Sequence, residues 1–120
     1  MKYYSRLFFL NEEGKRVFGK GPETLLTYVQ KTGSLRNAAE KMGMSYGKAM
    51  QIVRRAEEAF GYPLLETQIG GSSGGGSRLT PQAKLFLERY REMDKKLNDY
   101  TEQLYAELFS DGQALPEEKK

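Results

Sequence analysis

The spacing of three glycines in the middle of the chain is the feature that most restricts its fold. Gly33, Gly43 and Gly61 interrupt a region that is otherwise rich in helix-forming residues. A glycine just after the last helical turn readily adopts the left-handed conformation that ends a helix. Because helices this short are marginal in isolation, they must pack against one another to be stable. The sequence therefore predicts three short, consecutive helices.

The residues between these glycines define each helix. Pro22 suits a first helical position and the first helix continues to about Thr32. Ser34 is a good N-cap for the second helix and Ser45 for the third, before Gly61 and Pro63 end it. Apolar residues recur at helical spacing and predict the inner faces, namely Leu25, Leu26 and Val29, then Leu35, Ala38, Ala39 and Met42, then Ala49, Ile52, Val53, Ala56 and Phe60.

The second and third helices are separated by a tight turn that contains Gly43. The small side chains of Ala38 and Ala39 allow the second helix to approach its neighbour closely. This pattern is typical of a helix-turn-helix, whose second helix enters the DNA major groove. An ordinary antiparallel helical hairpin is the alternative interpretation of the same residues.

Two β-hairpins are predicted around these helices. Residues 3–10 and 15–18 form strands on either side of turn residues 11–14, and residues 63–68 and 78–79 form a second pair. The segment 70–77 holds only Gly and Ser, which predicts an exposed, mobile tip. A hairpin directly after the third helix indicates a wing, in which glycine lets backbone N–H groups approach phosphates.

The glycine-rich segment has other interpretations. A nucleotide-binding phosphate loop requires Gly-Lys-Ser/Thr at the start of a helix, whereas Gly76 is followed by Ser77, Arg78 and a strand. An engineered linker and a plain flexible loop are both compatible with its composition.

A long helix begins at Thr80, a good N-cap, and Pro81, and nothing interrupts it before Gly112. At 1.5 Å per residue, the helix over residues 81–109 is about 43 Å long, more than this small domain can cover alone. Its apolar residues alternate three and four positions apart, as in a coiled coil: Ala83, Phe86, Tyr90, Met93, Leu97, Tyr100 and Leu104.

This stripe predicts a homodimer whose interface is formed by Phe86, Tyr90, Met93, Leu97, Tyr100 and Leu104. The alternative is a helix that folds back over its own domain, as the residues near its start, 85–87, are expected to do. The polar tail, residues 110–120, is predicted to be flexible.

Composition limits the chemistry of the chain. It has no Cys and no His, so disulfides are excluded, and the usual zinc ligands and the histidine proton shuttle are missing. We therefore expect no enzyme, no metal and no cofactor. No signal peptide or membrane-spanning apolar run is present, which predicts a cytoplasmic protein, associated with the nucleoid when bound to DNA.

Charge is unevenly distributed along the chain. Residues 1–80 hold 12 Lys/Arg against 7 Asp/Glu, a net +5, whereas residues 81–120 hold 7 against 9, a net −2. An anionic partner is therefore expected to bind the first region.

The run 32–46, Thr-Gly-Ser-Leu-Arg-Asn-Ala-Ala-Glu-Lys-Met-Gly-Met-Ser-Tyr, resembles the helix-turn-helix of the LysR-like winged-helix regulators. Ser45, Tyr46 and Ala49 are most similar to the ModE branch, the molybdate-responsive repressors. The resemblance continues through residues 57–66, the paired-glycine wing and Leu79-Thr80, and covers roughly residues 5–105. It implies DNA binding and dimerisation through the long helix.

Two departures from the family pattern matter. Ala83 stands where these families usually have glycine. ModE regulators carry molybdate-binding domains after the long helix, and LysR regulators carry an effector domain, whereas this sequence ends. We therefore expect neither a molybdate-binding domain nor a small-molecule effector.

The predicted fold is mainly α with a small β component (α+β): a winged helix-turn-helix over residues 1–80, a dimerisation helix over 81–109 and a tail over 110–120. The predicted function is sequence-specific transcription regulation on double-stranded DNA by a homodimer. A protein–protein adaptor that uses the coiled-coil helix and reads no DNA is the alternative.

The third helix is predicted to read bases. Gln51 can pair with adenine, and Arg54 or Lys48 with guanine, beside Gly47 on the same surface. Contacts to the DNA backbone are expected from residues on three elements: Ser34 and Arg36 at the start of the second helix, where its dipole helps, Ser45, Tyr46 and Arg55 on the third, and Arg78, Gly74 and Gly75 in the wing, which would reach the flanking groove or its phosphates.

Overall fold

The computed structural model describes residues 3–68 and 76–109. Its elements, in chain order, are β1 (Phe9–Leu10), β2 (Arg16–Phe18), α1 (Lys20–Thr32), α2 (Leu35–Lys41), α3 (Tyr46–Phe60), β3 (Leu65–Gln68), β4 (Gly76–Leu79) and α4 (Pro81–Leu108). β1 pairs with β2 and β3 with β4, each in a two-stranded antiparallel sheet. The predicted α+β winged helix is confirmed.

The chain divides into two compact units. One comprises Phe8–Glu88, and the other comprises the residues on either side of it, of which 3–7 and 89–109 are described. The first turns of α4 belong to the winged unit because Ala83 and Leu87 are buried there. The division therefore falls eight residues beyond the predicted boundary at residue 80.

Local capping explains where the helices begin. The Ser34 hydroxyl accepts from the Asn37 N–H at 3.0 Å, and the Ser45 hydroxyl accepts from the Lys48 N–H at 3.1 Å. The Thr80 hydroxyl accepts from the Ala83 N–H at 3.1 Å in the same way. The three predicted N-caps are confirmed.

The predicted start of α1 was wrong by two residues. The helix begins at Lys20, with Gly19 as N-cap, and the Glu23 N–H bonds the Gly19 carbonyl at 3.0 Å. Pro22 is tolerated inside the first turn because the first four N–H groups of a helix have no partner within it.

The predicted N-terminal strand over residues 3–10 was also largely wrong, since only Phe9 and Leu10 are in a strand. The preceding residues instead contact α4 within their own unit. The Tyr90 hydroxyl donates to the Leu7 carbonyl at 2.9 Å, and the Ser5 hydroxyl donates to the Asn98 side chain at 2.9 Å. These contacts replace strand pairing.

The core of the winged unit lies between its helices and beneath the hairpins. Met42, Ile52 and Phe60 of the predicted inner faces are half-buried. The other residues of those faces are buried, namely Leu25, Leu26, Val29, Leu35, Ala38, Ala39, Ala49, Val53 and Ala56. Rings from distant elements complete it, with Phe86 lying 4.8 Å from Phe18 and 4.4 Å from Phe60 between centroids. This core fixes α3 so that its opposite face is exposed.

The wing is connected to α3 and α4 through the turn at Pro63 and the buried Leu64. The Glu57 carboxylate of α3 accepts from the Leu64 N–H at 2.8 Å, and the Thr80 hydroxyl donates to the Pro63 carbonyl at 2.8 Å. β3 begins two residues later than predicted and β4 two residues earlier, with Leu65 opposite Leu79 and Gln68 opposite Gly76. The predicted mobile tip lies largely outside the described residues, as does the predicted tail.

Candidate nucleic-acid interface

The exposed face of α3 carries the polar side chains that the sequence predicted to read bases. Ala49, Val53 and Ala56 are buried, which turns the opposite side of the helix to solvent. An open groove on that side is lined by nine residues, and seven of them were predicted: Ser45, Tyr46, Gly47, Lys48, Gln51, Arg54 and Arg55. The structure therefore brings the predicted α3 residues together on one surface.

This groove also contains two residues that the sequence analysis missed, Met50 and Glu58. The signal for Glu58 was present, because Gly47, Gln51, Arg54 and Glu58 are spaced by four, three and four residues and so share a helix face. Met50 lies one turn from both Tyr46 and Arg54.

The groove carries three cationic side chains, Lys48, Arg54 and Arg55. Among the residues that the structure describes, no Asp or Glu forms an ion pair with Lys48, Arg54 or Arg55. All three side chains are exposed. A surface of this kind carries a positive potential that attracts an anionic partner.

Arg36 and Tyr46 connect the starts of α2 and α3. The Arg36 guanidinium lies 4.2 Å from the centroid of the Tyr46 ring, within the range of a cation–π interaction. Arg36 is exposed, and stacking restricts the number of conformations its side chain adopts. Arg36 and Tyr46, both predicted to contact the DNA backbone, are therefore adjacent in space.

The two predicted serines have a structural role. Ser34 is half-buried and Ser45 exposed, and both hydroxyls accept a capping hydrogen bond. Each hydroxyl hydrogen remains available to donate to an anion.

In the wing, the predicted contact residue Arg78 lies on β4 and is paired. Its Nε lies 3.1 Å from Oε2 of Glu66 on β3, and 60% of its side chain is exposed. A phosphate at this position would compete with the Glu66 carboxylate. Gly74 and Gly75 lie outside the described residues.

The region from α1 to the start of α4 is similar to a known protein family. Residues 24–84 match the bacterial regulatory helix-turn-helix proteins of the lysR family. The match covers about half of the chain and includes α2, α3 and the wing. The chain belongs to this family.

Individual relatives carry ModE names. The chain is 39% identical over 72 residues to the molybdenum transport protein ModE of Herbaspirillum seropedicae, a match that covers 60% of this chain and 27% of the relative. It is 34% identical over 71 residues to the transcriptional regulator ModE of Haemophilus influenzae, covering 59% and 28%. For the DNA-binding transcriptional dual regulator ModE of Escherichia coli K12 the identity is 28% over 93 residues, covering 78% and 34%.

These matches extend over 27–34% of the relatives' length. They support the predicted resemblance to ModE and LysR-type regulators. The lysR family is a family of DNA-binding transcription regulators and not of enzymes.

The outer part of α4 carries the remaining predicted residues of this lysR-family chain. Met93 and Tyr100 are 52% and 56% exposed, and Leu97 and Leu104 are half-buried. Tyr90, in contrast, is only 3% exposed because its own chain covers it. Phe86 is half-buried and packs on Phe18 and Phe60. Met93 and Tyr100 are therefore more exposed in the single chain than the other predicted stripe residues.

Two features are absent from the described residues. None of their helices combines the length and the apolar character needed to cross a membrane. They also contain no group of three or more Asp or Glu side chains placed to hold a metal ion.

Proposed function

We propose that this chain binds double-stranded DNA with sequence specificity as a homodimer and thereby regulates transcription. The observation that carries the proposal is the exposed face of α3, where no carboxylate among the described residues pairs with Lys48, Arg54 or Arg55, which lie beside the amide of Gln51. The lysR-family match spans α2 and α3, and in a helix-turn-helix the second helix enters the major groove.

Base recognition is proposed for three side chains of this face. The Gln51 amide can both donate and accept, which matches N6 and N7 of adenine. Arg54 and Lys48 donate only, which matches O6 and N7 of guanine. Gly47 offers no side chain and lets the helix backbone approach the bases closely.

Backbone contacts are proposed for the residues around this face. Arg55 flanks it on α3, and Arg36 is placed by the Tyr46 ring. Ser34 and Ser45 donate through their hydroxyl hydrogens, and Arg78 reaches phosphate from the wing. In a bacterial cell this role places the protein in the cytoplasm, on the chromosome.

Dimerisation is proposed through Met93, Leu97, Tyr100 and Leu104. Two of these side chains are more than half exposed although they are apolar or aromatic, and the four share one face of α4 at three- and four-residue spacing. A second copy of the same helix would cover them. A dimer would present two α3 helices to a palindromic site.

Titration of duplex DNA at several salt concentrations tests the proposal. If cations neutralise phosphates, the logarithm of the affinity falls linearly with the logarithm of salt concentration, by about 0.9 units for each phosphate contacted. Selection from random duplexes should then enrich one sequence. The exposed apolar face of α4 also suits an adaptor that binds protein, and such an adaptor would show neither result.

We further propose that this DNA binding requires no small-molecule effector. Among the described residues, the groove on α3 that carries Lys48, Arg54 and Arg55 is open and exposed. Ligand sites are usually enclosed enough to bury most of the ligand. Isothermal titration of this 120-residue chain with molybdate and tungstate should give no heat of binding. A stoichiometric heat at micromolar affinity would contradict the proposal.

A further inference from the structure

The wing is attached to the turn between α1 and α2 by backbone contacts at one position. The Ser77 N–H of β4 donates to the Gly33 carbonyl at 2.8 Å. The Gln68 side-chain amide of β3 donates to the Ser77 carbonyl at 3.4 Å. We call these four residues, Gly33, Gln68, Gly76 and Ser77, the wing root.

Both glycines of the wing root are required by its geometry, for different reasons. Gly33 has a φ of +75°, a left-handed conformation that L side chains rarely adopt. Gly76 has no such conformation, but a Cβ built on it would overlap the carbonyl oxygen of Gly33. The two backbones therefore approach this closely because Gly76 carries no side chain, whereas Gly33 is required for its backbone conformation.

Hydrogen bonds on both sides of Gly33 fix the position of its carbonyl, which accepts from the Ser77 N–H. The Gly33 N–H bonds the Val29 carbonyl at 2.7 Å, which closes the last turn of α1. The Thr32 hydroxyl donates to the Tyr28 carbonyl at 2.8 Å and accepts from the Ser34 N–H at 3.2 Å. The Gly33 carbonyl is thus fixed on both sides, one residue before the N-cap of α2.

A two-stranded hairpin by itself is marginally stable in water, so its direction must be set by what it contacts. Here β4 has the α1–α2 turn on one edge and β3 on the other. The wing residue Arg78 is two residues from Gly76, and Arg36 is three residues from Gly33. The wing root therefore determines where the Arg78 side chain lies relative to the Arg36 side chain.

We infer that Gly76 is a positioning residue for DNA binding: its lack of a side chain fixes the wing against the start of α2, so that Arg78 and Arg36 meet the DNA backbone together. This inference rests on the proposed function. Gly76 itself contacts no DNA in this scheme and acts through the orientation of β4.

The variant Gly76→Ala tests this role. Its Cβ should separate Ser77 from Gly33 and rotate the wing, while α3 and its base contacts remain in place. We expect weaker binding to selected and random duplexes by the same factor, and a salt slope shallower by about one unit, as for loss of one phosphate contact. The base preference should not change.

The decisive measurement combines Gly76→Ala with Arg78→Ala. In the wild-type chain Arg78→Ala should weaken binding and shallow the slope, whereas in the Gly76→Ala chain it should have no further effect. If Gly76 were merely structural, the variant would lower the folded fraction, and Arg78→Ala would then have its full effect in both chains. The inference would be overturned if the losses of affinity from Gly76→Ala and Arg78→Ala were fully additive. It would also be overturned if Gly76→Ala left the salt slope unchanged.

Gly21→Ala is the matched control, because a Cβ at this exposed position of α1 meets nothing within 4 Å. It should bind DNA like the wild type. If circular dichroism shows that Gly76→Ala does not fold, replacing the Ser77 peptide N–H by an ester oxygen removes the bond to Gly33 without adding bulk. The ester chain should then show the shallower slope, and a wild-type slope would overturn the inference. Failure of the wild-type chain to bind DNA would instead contradict the proposed function.

Discussion

The exposed faces of α3 and α4 differ in whether their charged side chains form ion pairs. On α3, Lys48, Arg54 and Arg55 have no carboxylate partner among the described residues. On α4, Lys95 lies 2.8 Å from Asp99 and Lys96 lies 3.1 Å from Glu92, each one helical turn away. Pairs of this kind neutralise their own helix surface.

The two helices also differ in how far their apolar residues are buried. The apolar side of α3 is buried in the winged unit, whereas α4 exposes Met93 and Tyr100. A helix with free cations outside and apolar residues inside is suited to an anionic partner. A helix with paired charges and exposed apolar residues is suited to another protein surface. We therefore expect the two helices to have different partners, which mutations can test separately.

The largest effect is expected from charged residues on the α4 stripe. The double variant Leu97→Glu and Leu104→Glu should give monomers by analytical ultracentrifugation, because burying the new carboxylates against a second helix is unfavourable. Losing the second half-site contact should weaken binding to a palindromic site by about 100-fold or more.

A matched control carries Lys96→Glu and Gln103→Glu, each one residue before the corresponding leucine and on an exposed position. This control should remain dimeric. A wild-type chain that sediments as a monomer at tens of micromolar would show that the stripe is not a dimer interface.

A smaller effect is expected from the base-reading side chains of α3. Arg54→Ala and Gln51→Ala should each cost about 1–3 kcal/mol on the preferred duplex, since each removes a bidentate contact to one base. The preference at that base pair should relax, which competition with single-base variants of the site would measure. Equal losses on preferred and random duplexes would show that α3 does not read bases.

A uniform, smaller effect is expected from the cations that flank this face. Arg36→Ala and Arg55→Ala should weaken binding to all sequences alike and shallow the salt slope by about one unit each. Tyr46→Leu should reproduce part of the Arg36→Ala effect because the guanidinium loses the ring that positions it.

Lys95→Ala provides the control from α4. Its ammonium is already paired, so its removal should leave both affinity and salt slope unchanged. A slope as shallow as that of Arg36→Ala would contradict the difference drawn between the two helices.

The smallest effect is expected from Asp99→Asn, which removes the carboxylate paired with Lys95. The hydrogen bond and charge of Asp99 raise the pKa of Lys95 above its ordinary value. A raised pKa in the folded chain means that the pair stabilises the helix at neutral pH and that this contribution is lost as the pH rises through that pKa. Asp99→Asn should lower the pKa, as measured by NMR titration of the ammonium, and should not alter DNA binding.

Much of the winged unit was determined by the sequence alone. The N-caps Ser34, Ser45 and Thr80 were predictable because each hydroxyl bonds an N–H only three residues away. The exposed face of α3 was predictable because helical periodicity fixes which residues oppose Ala49 and Val53. Both signals depend on neighbours in the chain, so no knowledge of distant contacts was needed.

Only the tertiary structure decided the features that depend on distant residues. Residues 3–7 resemble a strand in composition but contact α4, about 90 positions away, through Ser5 and Leu7. Tyr90 fits the dimer stripe by spacing yet is buried by its own chain. The same holds for Gly76, whose lack of a side chain is required by the carbonyl of Gly33. Local sequence fixes conformation and periodicity, whereas close approach between separate elements follows from how the whole chain packs.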